Sequence, residues 1–230
     1  MPKFAAHLTM LFNELPFPDR FAAAKAAGFS GVEYLFPYDF EKAMLREKLQ
    51  QYGLTQVLHN LPAGNWGAGE RGIAILPDRV DEFRDGVRQA VDYAKALDCR
   101  QLNCLVGIAP DDADRVELNK VLLGNLRFAV DALARERIRL LIEPVNTRDI
   151  PGFFLNRTEQ AVQIMSEVGS DNLFIQYDIY HMQVMEGDIA PTLRKHLARI
   201  AHVQLADNPG RNEPGKIGRA SCRERVCMLV

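Results

Sequence analysis

Along most of the chain a short apolar run is followed by a polar or Gly/Pro break, a longer segment of helical period, and then another apolar run. This is the alternation of βαβ units. The runs predict strands over Phe4–Leu8, Gly31–Leu35, Thr55–Leu58, Gln101–Leu105, Arg139–Glu143, Leu173–Asp178 and Ala201–Leu205. Between Asp78 and Leu97 the apolar residues Val80, Phe83, Val87, Val91 and Ala94 recur at spacings of three and four, which predicts a crossover helix. A second helix is predicted from Asn156, an N-cap residue with Glu159 three positions on, through Val162, Met165 and Val168 to a stop at Gly169. Runs such as Leu-Leu-Ile-Glu143 and Phe-Ile-Gln-Tyr-Asp178 are nearly continuous in apolar character, as in a parallel sheet covered by helices. Seven βα units without a nucleotide fingerprint at the first turn predict a (β/α)8 TIM barrel with about seven of its eight units present.

Composition narrows the function classes. The 230 residues are 47% hydrophobic and 25% charged, enough for one domain with a sizeable core. A formal charge of −2 does not suit a nucleic-acid binder, which needs a clustered basic face. No apolar stretch approaches the roughly 20 residues of a membrane span, and the N-terminus lacks the order of a signal peptide. The expectation is a cytoplasmic protein acting on a small molecule, with no nucleic acid or membrane partner. Four cysteines (Cys99, Cys104, Cys222 and Cys227) without C-x-x-C spacing read as reduced thiols.

The character changes after Gly215. The segment KIGRASCRERVCMLV has no strand or helix pattern, and Ile217–Val226 read as the translation of a common sequencing-library adapter. The expected organisation is therefore a truncated barrel over residues 1–215 and a non-native read-through tail over 216–230. Residues 1–215 carry 24 Lys and Arg against 29 Asp and Glu, so the barrel is more acidic than the whole chain.

Three successive apolar runs end on oxygen-bearing side chains, Glu143, Asp178 and Gln204, 35 and 26 residues apart, close to one βαβ unit each. In a barrel these positions open together onto the C-terminal face. Two carboxylates and a carboxamide there predict a hard, oxygen-rich site for Mg2+ or Mn2+. Capping of the following helix is the competing use of each. His59 and Asn60, just past the third strand, and Glu70 in the next loop can line the same pocket. Arg148, in the EPVNTRD loop, has the geometry to bind a substrate carboxylate. His7, His196 and His202 show no partner in the sequence. Gly67-Ala-Gly-Glu-Arg-Gly72 satisfies G-x-G-x-x-G but lies in a loop and is followed by Ile73-Ala-Ile-Leu-Pro77 where a dinucleotide site demands a helix.

Together, Glu143-Pro-Val-Asn146, Asp178-Ile-Tyr-His181 and Gln204-Leu-Ala-Asp-Asn-Pro-Gly-Arg211 resemble the xylose-isomerase-like barrel superfamily, and within it the hydroxypyruvate isomerase family. LFNELPF, YLFPYDF, TQVLHNLPAGNW, GERGIA, QLNCLVGIAP, LLIEPVNTRDIPGFFLN, QYDIYHMQ and HVQLADNPGR extend the resemblance over residues 1–215. It implies conversion of hydroxypyruvate to tartronate semialdehyde by proton transfer between adjacent carbons through an enediolate. It also implies a glutamate acid/base pair that ligates the metal, of which Glu143 is the first; the second ends an eighth strand that residues 1–215 do not supply. Asp178 and Gln204 correspond to metal ligands, and His181 and Arg211 to residues that contact the substrate. Glu224, the only acid of the tail, has no apolar strand before it and is not expected to substitute. A four-carbon 2-oxotetronate substrate and, with the second glutamate missing, a non-catalytic sugar-acid binding protein are the alternative readings. DNA-repair endonucleases share the barrel but use several metal ions and a basic groove.

Overall fold

The computed structural model describes residues 3–212. Seven parallel strands, β1 (Ala5–His7), β2 (Gly31–Glu33), β3 (Thr55–Asn60), β4 (Gln101–Cys104), β5 (Arg139–Ile142), β6 (Leu173–Asp178) and β7 (Ile200–Gln204), form one sheet in chain order. Each expected strand is present, shifted at its ends by at most two residues. Helices α1 (Arg20–Ala26), α2 (Lys42–Tyr52), α3 (Val80–Ala96), α4 (Arg115–Arg135), α5 (Thr158–Val168), α6 (Ile179–Met185) and α7 (Ile189–His196) lie between the strands. This is an incomplete TIM-barrel-like fold. Lys216–Val230, with Cys222, Glu224 and Cys227, lie outside the described residues.

The main hydrophobic core lies between the sheet and the helices. Helix α3 buries Phe83, Val87, Ala90 and Ala94 against it, a stripe at spacings of three and four. At about 1.5–3 kcal/mol for a fully buried large apolar side chain, that face holds the helix to the sheet. Leu102 and Cys104 of β4, Leu140 and Ile142 of β5, and Ile175 and Tyr177 of β6 all belong to this core. The residues between them, Gln101, Asn103, Gln176 and Asp178, point the other way, into the barrel. The runs that look continuously apolar thus alternate: the helix-facing positions are apolar and the lumen-facing ones largely polar.

One predicted helix start is corrected. Helix α5 begins at Thr158, and Asn156 does not cap it; its side-chain amide donates to the carbonyls of Phe153 and Phe154. The Thr158 N–H is taken instead by Glu186 Oε1 at 2.7 Å, from the end of the next βα unit. Glu159 pairs with Lys195 and His196. The predicted stop holds, with Gly169 left-handed at φ 71°. The G-x-G-x-x-G stretch is a loop as expected: Gly72, at φ 116°, passes so close to the exit of β4 that any Cβ would strike the Leu105 carbonyl. Cys99 and Cys104 are buried free thiols. Among the described residues no helix is long and apolar enough to cross a membrane.

Candidate active site

The C-terminal ends of six adjacent strands bring Glu33, Asn60, Asn103, Glu143, Asp178 and Gln204 to one end of the sheet. Register puts Asn60 beside Asn103 and Asp178 beside Gln204. Asn103 Nδ2 donates to Glu143 Oε2 at 2.9 Å and to Asn60 Oδ1 at 3.1 Å, so β3 and β4 hold the carboxylate that follows β5. Asp178 divides its two oxygens. Oδ1 accepts the Tyr180 N–H at 2.8 Å and caps α6, whereas Oδ2 accepts Arg211 Nη2 at 2.8 Å. The capping expected as the competing use of Asp178 is present, and its second oxygen is left for Arg211.

The cap sets α6 turning immediately after β6, which returns His181 to the site. Its Nε2 lies 3.5 Å from Asp178 Oδ2 and 3.9 Å from Glu143 Oε1. Glu143, Asp178 and His181 are all buried, and each offers a ligand atom within 4.8 Å of the others. Donors face both nitrogens of the His181 ring. Asn146 Oδ1 accepts the Asp149 N–H at 2.8 Å, which fixes the amide with Nδ2 toward the imidazole, 2.7 Å from Nδ1. At Nε2 the ring meets Arg211 Nη2 at 3.2 Å, a group that only donates, and Glu143, Asp178 and His181 together offer the ligand atoms for a cation.

Burial, and then the neighbouring Asp178 charge, push the Glu143 carboxyl up to about 8. Burial also lowers His181, which keeps the ring neutral. Glu33 moves the other way: burial would raise it, but the His202 imidazole 2.6 Å from Oε2 outweighs that and holds the carboxyl at about 2.

Gln204 stands at the expected strand end with both amide atoms engaged, Oε1 accepting from Gln176 Nε2 at 3.0 Å and Nε2 donating to Glu33 Oε1 at 2.8 Å. Arg211 reaches back from the loop after β7 to Asp178, with its guanidinium 5.1 Å from the Tyr180 ring centroid. His59 and Glu70 lie away from these residues. His59 sits on the opposite face of β3 from Asn60, against the Tyr38 ring, where burial lowers it to about 3. Glu70 is tied to Arg79 and to the Asn65 N–H, bracing its own loop. Arg148 is exposed in the loop after β5, close enough for its charge to act on Tyr180. Sequence reading missed Asn103, Gln176, Glu33 and the partner of His202. The available signal was the polar residue two positions apart in Gln101-Leu-Asn103, Gln176-Tyr-Asp178 and His202-Val-Gln204.

Residues 21–226 match the xylose isomerase-like TIM barrel family. The hydroxypyruvate isomerase of Escherichia coli K12 is 51% identical over 215 residues, covering 94% of this chain and 83% of that protein. A 2-oxo-tetronate isomerase of Cupriavidus necator is 48% identical over 214 residues, covering 93% and 82%. Among solved structures, one described as an AP endonuclease, family 2, from Brucella melitensis superposes with a TM-score of 0.92 at 46% identity, covering 94% of this chain and 83% of that one. A D-allulose 3-epimerase from Methylomonas sp. shares the fold, with a TM-score of 0.74 at 21% identity.

Proposed function

We propose that this chain, which belongs to the hydroxypyruvate isomerase and 2-oxo-tetronate isomerase family of xylose isomerase-like TIM barrels, interconverts hydroxypyruvate and tartronate semialdehyde with the help of Mg2+ or Mn2+. The observation that carries the reading is the buried Glu143, anchored by Asn103 and raised in basicity beside Asp178. A carboxylate so placed is a stronger base than one in water, suited to removing a proton from the carbon next to a carbonyl. A divalent cation, when bound, would polarise the substrate oxygens and stabilise the enediolate charge. Glu143, Asp178 and Gln204 are the proposed holders; the donor set is hard oxygen, as these metals require.

His181 lines the place where a substrate oxygen would lie, its ring held at Nδ1 by Asn146. Arg211 supplies the fixed positive charge that a carboxylate substrate needs. Its contact with Asp178 keeps the guanidinium at the mouth of the site. Proton return to the neighbouring carbon calls for a second acid, and we propose that an eighth βα unit provides it, the barrel proper being residues 1–215 and the tail 216–230 foreign to it. The cytoplasmic setting belongs to the same proposal.

The test is turnover of hydroxypyruvate and of 2-oxotetronate by the metal-loaded protein, completed with an eighth unit, against its Glu143→Gln variant. Glu143→Gln should abolish turnover and keep the fold. Retention of more than about a tenth of the parent rate, a barrier change under ~1.4 kcal/mol, would remove Glu143 from the proton transfer. Faster turnover of the four-carbon acid would move the substrate to 2-oxotetronate. Binding of either acid without turnover would support the sugar-acid binding alternative, and cleavage of abasic DNA would support a nuclease instead.

A further inference from the structure

The barrel interior also holds a buried contact between a carboxylate and an imidazole. Glu33, at the end of β2, meets His202 of β7 across the lumen, Oε2 to Nε2 at 2.6 Å, with both side chains buried. Gln101 Nε2 lies 3.4 Å from His202 Nδ1, which leaves Nε2 turned toward Glu33. The other Glu33 oxygen accepts Gln204 Nε2 at 2.8 Å.

We propose that Glu33 is a positioning residue that sets the direction of the Gln204 amide and, through it, of Gln176. This rests on the proposed role of Gln204 as an oxygen ligand. An ionised carboxylate only accepts hydrogen bonds, so Gln204 must turn its nitrogen toward Glu33. Its oxygen then faces the Glu143–Asp178 side, where it accepts Gln176 Nε2. The same Gln176 side chain hydrogen-bonds Glu143, while Gln176 Oε1 is left buried without a hydrogen-bond partner. An amide that leaves its own oxygen unsatisfied is being held by its neighbours' polarity. One fixed charge thus orders a chain of two amides, each of which, alone, has two nearly equivalent orientations.

Substitution of Glu33 by Gln makes a directional forecast. His202 would donate to the new amide oxygen, the new NH2 would face Gln204, and Gln204 would turn over to present its NH2 to the site. Mn2+ binding, followed by isothermal titration, should weaken by about 10- to 100-fold, the usual loss when a partner orienting a metal ligand is removed. The exchange Glu33→Gln/Gln204→Glu restores an oxygen facing the site and should recover most of that affinity, which a merely structural lesion would not.

Side-chain amide NMR of the metal-free protein decides the orientation independently of the metal. The Gln204 NH2 protons should show the downfield shift of a carboxylate hydrogen bond and lose it in Glu33→Gln. Unchanged Mn2+ affinity in a folded Glu33→Gln variant, no recovery in the folded exchange variant, or an unshifted Gln204 amide would each overturn the proposal. A parent protein that binds no Mn2+ but keeps the shifted amide would instead overturn the metal site and leave the Glu33 assignment standing.

Discussion

Arg211 Nη2 donates to Asp178 Oδ2 at 2.8 Å, so the site-facing oxygen of that aspartate is occupied by a guanidinium from the loop after β7. A cation seated on Asp178 must share or displace this contact, whereas a carboxylate substrate profits from it. For Arg211→Ala, Mn2+ affinity should rise or stay level, while KM for the oxo-acid increases about 10- to 100-fold, the equivalent of one charged hydrogen bond of ~1.5–3 kcal/mol. An unchanged KM with weakened Mn2+ binding would remove Arg211 from substrate recognition.

Metal binding should depend on pH through Glu143. Its carboxyl is raised from 4.5 to about 8, first by burial and then by the Asp178 charge, so at neutral pH the metal-free site holds a proton that a cation must expel. Mn2+ affinity should therefore rise with pH and level off above about 8. Titrations in buffers of different ionisation heat should show proton release near pH 7. In the metal-free protein the folded state holds this proton and the unfolded state does not between pH 4.5 and about 8, so this group's contribution to stability falls as pH rises through that interval. In Glu143→Gln the proton release should vanish; its persistence would place the titrating group elsewhere.

The Glu33–His202 pair carries the opposite sign. Glu33 is held at about 2 against an ordinary 4.5, so its stabilisation is present above pH 4.5 and lost as pH falls toward 2. The stability gap between the parent and Glu33→Gln, measured by urea unfolding, should be widest near neutrality and close on acidification. A gap that does not change with pH would mean that the Glu33 carboxyl is not held low in the fold.

Gly72→Ala should destabilise the fold by at least ~2 kcal/mol, because it combines a left-handed backbone with a Cβ driven into the Leu105 carbonyl. Urea denaturation reads the loss directly. A near-neutral result would show that the loop can move off β4, and that Glu70 and Arg79 do not hold it there.

Among the described residues β1 and β7 end the sheet and do not pair with each other. Replacing Lys216–Val230 by an eighth βα unit whose strand ends in Glu should close that gap and raise kcat strongly over the 230-residue chain in the presence of Mg2+ or Mn2+. Equal activity in the two forms would show that the second carboxylate is dispensable, or is supplied by this chain as it stands.

The order of strands and helices, the stripe on α3 and the stop at Gly169 were legible in the sequence because each depends on residues a few positions apart. Period and glycine geometry act locally. Glu143, Asp178 and Gln204 were legible as strand-end oxygens for the same reason, and the family resemblance added His181 and Arg211. What the chain's own order could not state is which distant side chains meet. The cap of α5 comes from Glu186 in the next unit, the hold on Glu143 from Asn103 one strand away, and the acceptor for the Gln204 amide from Glu33, 171 residues earlier. His59 and Asn60 are neighbours in sequence, yet the two faces of β3 send one to the helix layer and the other to the site. Only the curvature of the sheet, which turns alternate positions of its strands into one shared interior, decides these pairings, because a buried polar group takes whatever partner that curvature brings within hydrogen-bond reach.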